Sequence, residues 1–245
     1  MDETTEDLLL DRRVRLRQSA HGYRAGMDAA LLAAACDARA GERVIEAGCG
    51  PGAVLLQAAA RRPHTRFVGV ERDPAALALA RENIALNGLE DRAEAVGGDV
   101  AERFPRLGLA PFDAALANPP FFDDERRLRA PSPPRRAAWI ADDGLGAWIG
   151  FLLKAVRERG TITLIHRADR LDDILALLAG KAGSVQVLPV HPFADAPAKR
   201  VLVRAVKTGR APLRLLPPLI LHAPGGEHSP QSQAILRGKA ALNWS

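Results

Sequence analysis

The chain of 245 residues contains only two cysteines, Cys36 and Cys49. Their spacing is of no metal-binding type. That excludes a disulfide scaffold and a zinc ribbon, and it fits a reduced, cytoplasmic setting. No apolar run approaches the ~18 residues needed to span a membrane. The opening stretch, Met1-Asp2-Glu3-Thr4-Thr5-Glu6-Asp7, is acidic and lacks the basic segment of a secretory signal. No internal repeat or low-complexity linker is present. Charge is not extreme either: a net +5 permits a nucleic-acid partner without demanding one. What is present, a chain with 47% hydrophobic residues, suffices for one large α/β domain.

The organising stretch is Val44-Ile45-Glu46-Ala47-Gly48-Cys49-Gly50-Pro51-Gly52. It reads as a buried strand ending in an acid, a glycine turn, and a helix that opens at Ala53. Strand, glycine-rich turn and helix together form a nucleotide-binding unit. Glycines allow a tight turn and close backbone approach to a ligand, and the new helix offers unpaired N–H groups. Two ligand classes compete for it. Gly48-x-Gly50-x-x-Ala53 fits the dinucleotide fingerprint. Glu46-x-Gly48-x-Gly50-x-Gly52 fits the motif that binds S-adenosylmethionine (SAM). The second uses Glu46, whose carboxylate suits the ammonium of SAM and is an unfavourable neighbour for the pyrophosphate of NAD.

Downstream, Arg66 to Glu71 reads as a second parallel strand. Its terminal Glu71 lies 19 residues beyond Gly52, matching the ribose-binding acid expected ~20 residues on. Asp73-Pro74 caps the next helix, which Asn87-Gly88 ends. A weakly marked strand, Ala93 to Val96, leads to Gly97-Gly98-Asp99-Val100. Asp99 there is either a turn residue or an acceptor for an adenine amino group, with the Val100 N–H donating to the ring. Phe112 to Ala117 is a fourth strand. It ends in Asn118-Pro119-Pro120-Phe121, where two prolines stop sheet pairing and stiffen the backbone beyond the strand.

Glu46-x-Gly-x-Gly-x-Gly, Glu71, Asp99 and Asn118-Pro-Pro-Phe121 together resemble the class I SAM-dependent methyltransferases of the small-domain type. The upstream Gln18-x-x-x-Gly22-Tyr23-Arg24-x-x-x-Asp28-x-x-Leu31-Leu32 is similar to the bacterial tRNA(Val) adenine-N6 methyltransferases. The resemblance implies a Rossmann-like α/β fold. Its seven-stranded, mostly parallel sheet has order 3-2-1-4-5-7-6, with helices on both faces. It also implies SAM as cofactor, no metal, and methylation of adenine N6 in a tRNA anticodon loop. The alternatives are a protein glutamine N5 or an rRNA adenine N6 as acceptor. Asn118, Pro119, Pro120 and Phe121 become the catalytic set; Phe121 stands where such families most often have tyrosine. Cofactor contacts fall on Asp28, Glu46, Gly48, Cys49, Gly50, Gly52, Glu71, Arg72, Asp99, Val100 and Asn118.

The remaining expectations concern the flanks. A single domain over residues 1–245 divides into an N-terminal hairpin and helix (8–38), the core (41–207) and a C-terminal extension (208–245). Leu8 to Leu16 reads as the hairpin. Its arginines, Arg12 to Arg17, either protect an exposed strand or meet phosphates. The basic loop of Arg126 to Arg136 flanks the substrate opening or is plain surface. Asp28 is an N-cap for the Ala29 to Ala35 helix, a cofactor contact, or both. Leu145, Trp148, Ile149, Leu152, Leu153 and Val156 form the sheet-packing face of a helix that Gly160 ends. Thr161 to Ile165, Val185 to Val190 and Val201 to Val206 are further strands, around a helix from Leu171 to Leu178 that Gly180 closes. His166 reads as structural. Leu215 to His222 adds an edge strand, and Ser229-Pro230 caps a last helix.

Overall fold

The computed structural model describes residues 3–20, 25–102, 104–120 and 144–244. Strands β1 (Thr4–Leu9) and β2 (Val14–Ser19) form an antiparallel hairpin. It begins ahead of the expected Leu8, because every residue from Thr4 finds a partner on β2. The main sheet holds β3 (Arg43–Ala47), β4 (Arg66–Glu71), β5 (Ala93–Gly97), β6 (Phe112–Ala117), β7 (Val156–Arg167), β8 (Ala182–His191) and β9 (Arg200–Lys207). Their order is β5-β4-β3-β6-β7-β9-β8, with β9 antiparallel to both neighbours. This is the 3-2-1-4-5-7-6 arrangement. Two short strands, β10 (Arg214–Leu215) and β11 (Leu219–Ile220), add to the outer side of β8. They replace the expected continuous edge strand, since Pro217 and Pro218 lie between them and supply no N–H to a ladder.

Helices α1 (Met27–Ala35), α2 (Ala53–Arg61) and α3 (Pro74–Leu86) share a hydrophobic cluster with Val44, Phe67 and Leu116. Helices α4 (Leu145–Ala155) and α5 (Leu171–Leu178) share the cluster of Ile45, Val68 and Ala115. Alternate strand residues thus feed two cores, as expected for a sheet covered on both faces. The capping signals hold locally. Asp73 accepts from the Ala76 N–H at 2.8 Å ahead of Pro74, and Ser229 accepts from the Ser232 N–H at 3.1 Å ahead of α6 (Pro230–Leu236).

Two expectations fail here. Gly160 does not end α4, which stops at Ala155 and runs straight into β7. Gly160 lies inside β7, beside the register shift between Phe112 and Ala114. A Cβ there would sit 2.8 Å from the Arg157 carbonyl oxygen and 3.0 Å from that of Asp113. The glycine therefore serves a close backbone approach rather than a helix end. Asp28 is not the N-cap of α1: Gly26 holds that position, without a side-chain bond. The Asp28 carboxylate instead accepts from Arg200 Nε on β9 at 2.9 Å.

The C-terminal segment is tied to this framework. Trp244 Nε1 donates to Ala35 O at 2.9 Å, Leu242 N donates to Ala34 O at 3.0 Å, and Arg61 Nη1 donates to Ala240 O at 2.7 Å.

Candidate functional site

Strands β3, β4, β5 and β6 are parallel neighbours, so their carboxyl ends share one edge. Ala47 stands opposite both Val70 and Ala117. The next residues, Gly48, Glu71 and Asn118, therefore share a row with neighbours ~4.8 Å apart. Glu71 and Asn118 lie on either side of the glycine turn, about 10 Å from each other. An open α/β sheet binds its ligands at this place, beyond the strand ends where the order reverses.

The turn is held from β4. The Cys49 N–H donates to Val70 O at 2.9 Å, and the Gly50 N–H donates to Glu71 Oε2 at 2.8 Å. Glu71 Oε1 accepts from the Asp73 N–H, also at 2.8 Å. Gly48, Gly50 and Gly52 have φ of +63°, +53° and +93°, values that L side chains disfavour. Beyond backbone angle, their reasons differ. A Cβ on Gly50 would meet nothing within 4 Å, so this glycine faces open space. A Cβ on Gly48 would overlap the ring of Trp148. The α4 helix thus lays an indole on the turn itself. Helical spacing placed Trp148 on the sheet-packing face but gave no sign of this contact.

Glu46 is 2% exposed, and its Oε2 has no hydrogen-bond partner among the described residues. Burial pushes its carboxyl well above the usual range; the Leu55 backbone N–H pulls it back, and the Glu71 charge pushes it further up. Burial also raises the Cys49 thiol, with the two carboxylates adding to the effect. A buried acid with an open oxygen, beside a glycine that leaves space, suits a cationic ligand group. The ammonium of SAM is such a group, and Glu71 is the acid expected to accept ribose hydroxyls. A pyrophosphate at this turn would meet two carboxylates.

Residues 24–130 match the family model of the methyltransferase small domain. The chain is a SAM-dependent methyltransferase. Over 235 residues it is 29% identical to a tRNA1(Val) (adenine(37)-N6)-methyltransferase of Porphyromonas gingivalis, covering 92% of this chain and 91% of the relative. It is 37% identical to a release factor glutamine methyltransferase of Caulobacter vibrioides over 158 residues, covering 60% of this chain and 52% of that one. Among solved structures, a predicted O-methyltransferase from Agrobacterium tumefaciens superimposes with a TM-score of 0.75 at 26% identity, covering 88% of this chain and 98% of that one.

The rest of the methyltransferase's expected site is placed as follows. Asp99 Oδ1 accepts from the Ala101 N–H at 2.8 Å, closing a local turn. Its Oδ2 lies 3.5 Å from Nη1 of the exposed Arg72. Val100 is half-buried beside it, Pro119 is buried and Pro120 exposed. Phe121 and the arginines from Arg126 to Arg136 lie outside the described residues. The hairpin arginines are largely engaged by the protein: Arg15 and Arg17 both pair with Glu6, and Arg13 donates to Leu10 O and Gly238 O. His166 is buried within β7. Among the described residues no group of three His, Cys, Asp or Glu could hold a metal, and no helix is long and apolar enough to cross a membrane.

Proposed function

We propose that this methyltransferase acts on N6 of an adenine in tRNA, in the anticodon loop. The observation that carries the reading is the placement of Asn118-Pro119-Pro120 at the end of β6, one strand from the glycine turn and in the row of Glu71. The full-length likeness to an enzyme named for tRNA adenine-N6 methylation supports it. SAM supplies an electrophilic methyl group when bound.

The protein's own residues must then make a poor nucleophile attack. The lone pair of an adenine amine is delocalised into the ring. The Asn118 side-chain oxygen and the Pro119 carbonyl each accept one N–H, which turns the lone pair toward the methyl group. Proline at the next position keeps that carbonyl from rotating, because its φ is fixed. The methylated amine then sheds a proton to solvent. This is catalysis by positioning and by fixed dipoles, and it requires no nucleophilic side chain. Phe121 stacks on the extruded base.

The test offers tritiated SAM with bulk tRNA, with rRNA and with release-factor protein. Label in the tRNA, recovered as N6-methyladenosine, is the expected result. Label in the protein glutamine with none in tRNA overturns the reading.

A further inference from the structure

Three rings are assembled at the far end of the same sheet edge, and the site described above does not use them. β8 is parallel to β7 and β6, so His191 at its end faces the same way as Asn118 at the end of β6. Leu221 N donates to His191 O at 2.8 Å and His222 N to Pro192 O at 2.9 Å, continuing the β11–β8 pairing past the strand ends. This brings the Phe193 ring 5.5 Å from that of His222. His222 in turn pairs across a glycine turn with His228, the two rings stacked at 5.0 Å and 24°. Ala223 N to Glu227 O and Gly226 N to Ala223 O, each at 2.9 Å, close that turn.

The chain has few aromatic residues, 4% in all. Among the described phenylalanines, Phe67, Phe104, Phe112 and Phe151 are buried, whereas Phe193 is 37% exposed and His228 is also exposed. A rigid ladder of rings that ends in an open face is a stacking surface for planar groups. Its distance from the catalytic edge fits a strand of nucleic acid. β8 lies three strand spacings from β6, ~14 Å, and β11 one more, ~19 Å. Between them the register sets Arg167 opposite Arg200, with exposed Lys199 adjacent. Asp169 and Asp28 partly neutralise the two arginines. The path from Asn118 to the rings thus passes exposed Lys199, a cation that can accompany a phosphate backbone, beside two ion-paired arginines.

We propose that Phe193, His222 and His228 form a shelf on which an unpaired base of the RNA, a few nucleotides from the target adenine, stacks. This rests on the RNA reading above. Single-stranded RNA is commonly held in this way, with aromatic rings taking bases and cations following the backbone.

The experiment measures steady-state methylation of a tRNA anticodon stem-loop by Phe193→Ala, by His228→Ala and by Phe193→Trp. In the alanine variants KM for the RNA should rise about ten-fold, as for loss of one base-on-ring stack. Their kcat should hold, and calorimetry should show SAM affinity unchanged. Phe193→Trp should restore KM, because it keeps a face to stack on. The salt slope of RNA binding should not move, since no phosphate contact is removed. A wild-type KM in both alanine variants overturns the shelf while leaving the RNA reading intact. If the wild-type enzyme methylates release-factor protein and no RNA, both fall. A urea midpoint equal to wild type confirms that each variant is folded.

Discussion

The Asn83 side chain donates to the Pro51 carbonyl at 2.9 Å. Through that bond a helix on the far side of β4 holds the middle of the glycine turn. The same amide donates to Arg17 O at 2.7 Å and accepts from Arg17 N at 2.8 Å. Four residues on, Asn87 repeats the pattern with the backbone of Arg15. Two asparagines one helical turn apart thus pair with alternate residues of β2, as a neighbouring strand would. Both hold the N-terminal hairpin, and Asn83 joins it to the glycine turn.

Asn83 is fully buried. Asn83→Ala should therefore leave two carbonyls and one N–H without their partners. It is expected to destabilise the protein by about 2 kcal/mol. The loss would be seen as a lower urea midpoint at unchanged slope. SAM affinity should fall as well, because Pro51 loses its anchor. A variant with wild-type stability and affinity would show that the turn is held without this bridge.

Glu71 holds the same turn from the other side, through the Gly50 N–H. Its second expected task is to accept the ribose hydroxyls of the cofactor. Glu71→Ala is expected to weaken SAM binding by ~1.5–3 kcal/mol, the worth of hydrogen bonds to a charged acceptor. Calorimetry with S-adenosylhomocysteine reads the loss. Binding within two-fold of wild type would remove Glu71 from the cofactor site.

Asn118→Ala is expected to abolish methyl transfer while leaving most of the SAM affinity. Its interactions with the target amine matter most in the transition state. Single-turnover rates and equilibrium dialysis separate the two quantities. Near-normal turnover would show that another group orients the amine.

Glu46 sets a pH dependence. Burial raises its pKa in the folded state above the unfolded value. The folded state therefore holds this proton more tightly, and Glu46's contribution to stability is fully present below the unfolded pKa. It is lost as pH rises through the raised value. Apo-protein melting temperature should decline over that window, and Glu46→Gln should flatten the decline. The same variant should bind SAM more weakly, having no charge for the ammonium. Melts of both proteins from about pH 5 to about pH 9 make the comparison, and identical slopes would contradict it.

The elements that depend on local chemistry are legible in the order of residues alone. β4 and β6 run over the residues expected and α2 opens at Ala53 as expected, because a buried strand, a glycine turn and a proline stop each act within a few neighbours. The Asp73 and Ser229 caps are likewise contacts across three residues. The acid at the end of β4 was legible because a βαβ unit fixes the distance from turn to acid.

Contacts between segments far apart in the chain emerge with the packed fold and not before. Asp28 looked like a cap, yet Arg200, 172 residues away, takes its carboxylate. Gly160 looked like a helix end, yet its small size serves the approach to Asp113 on β6. Trp148 looked like core, yet its ring explains why residue 48 has no side chain. Arg15 and Arg17 read equally as strand protection or phosphate contacts, and Glu6 on the partner strand pairs with both. Periodicity and capping record what a residue does to its own turn of chain. The space that a side chain finally fills is set by whichever distant element packs against it.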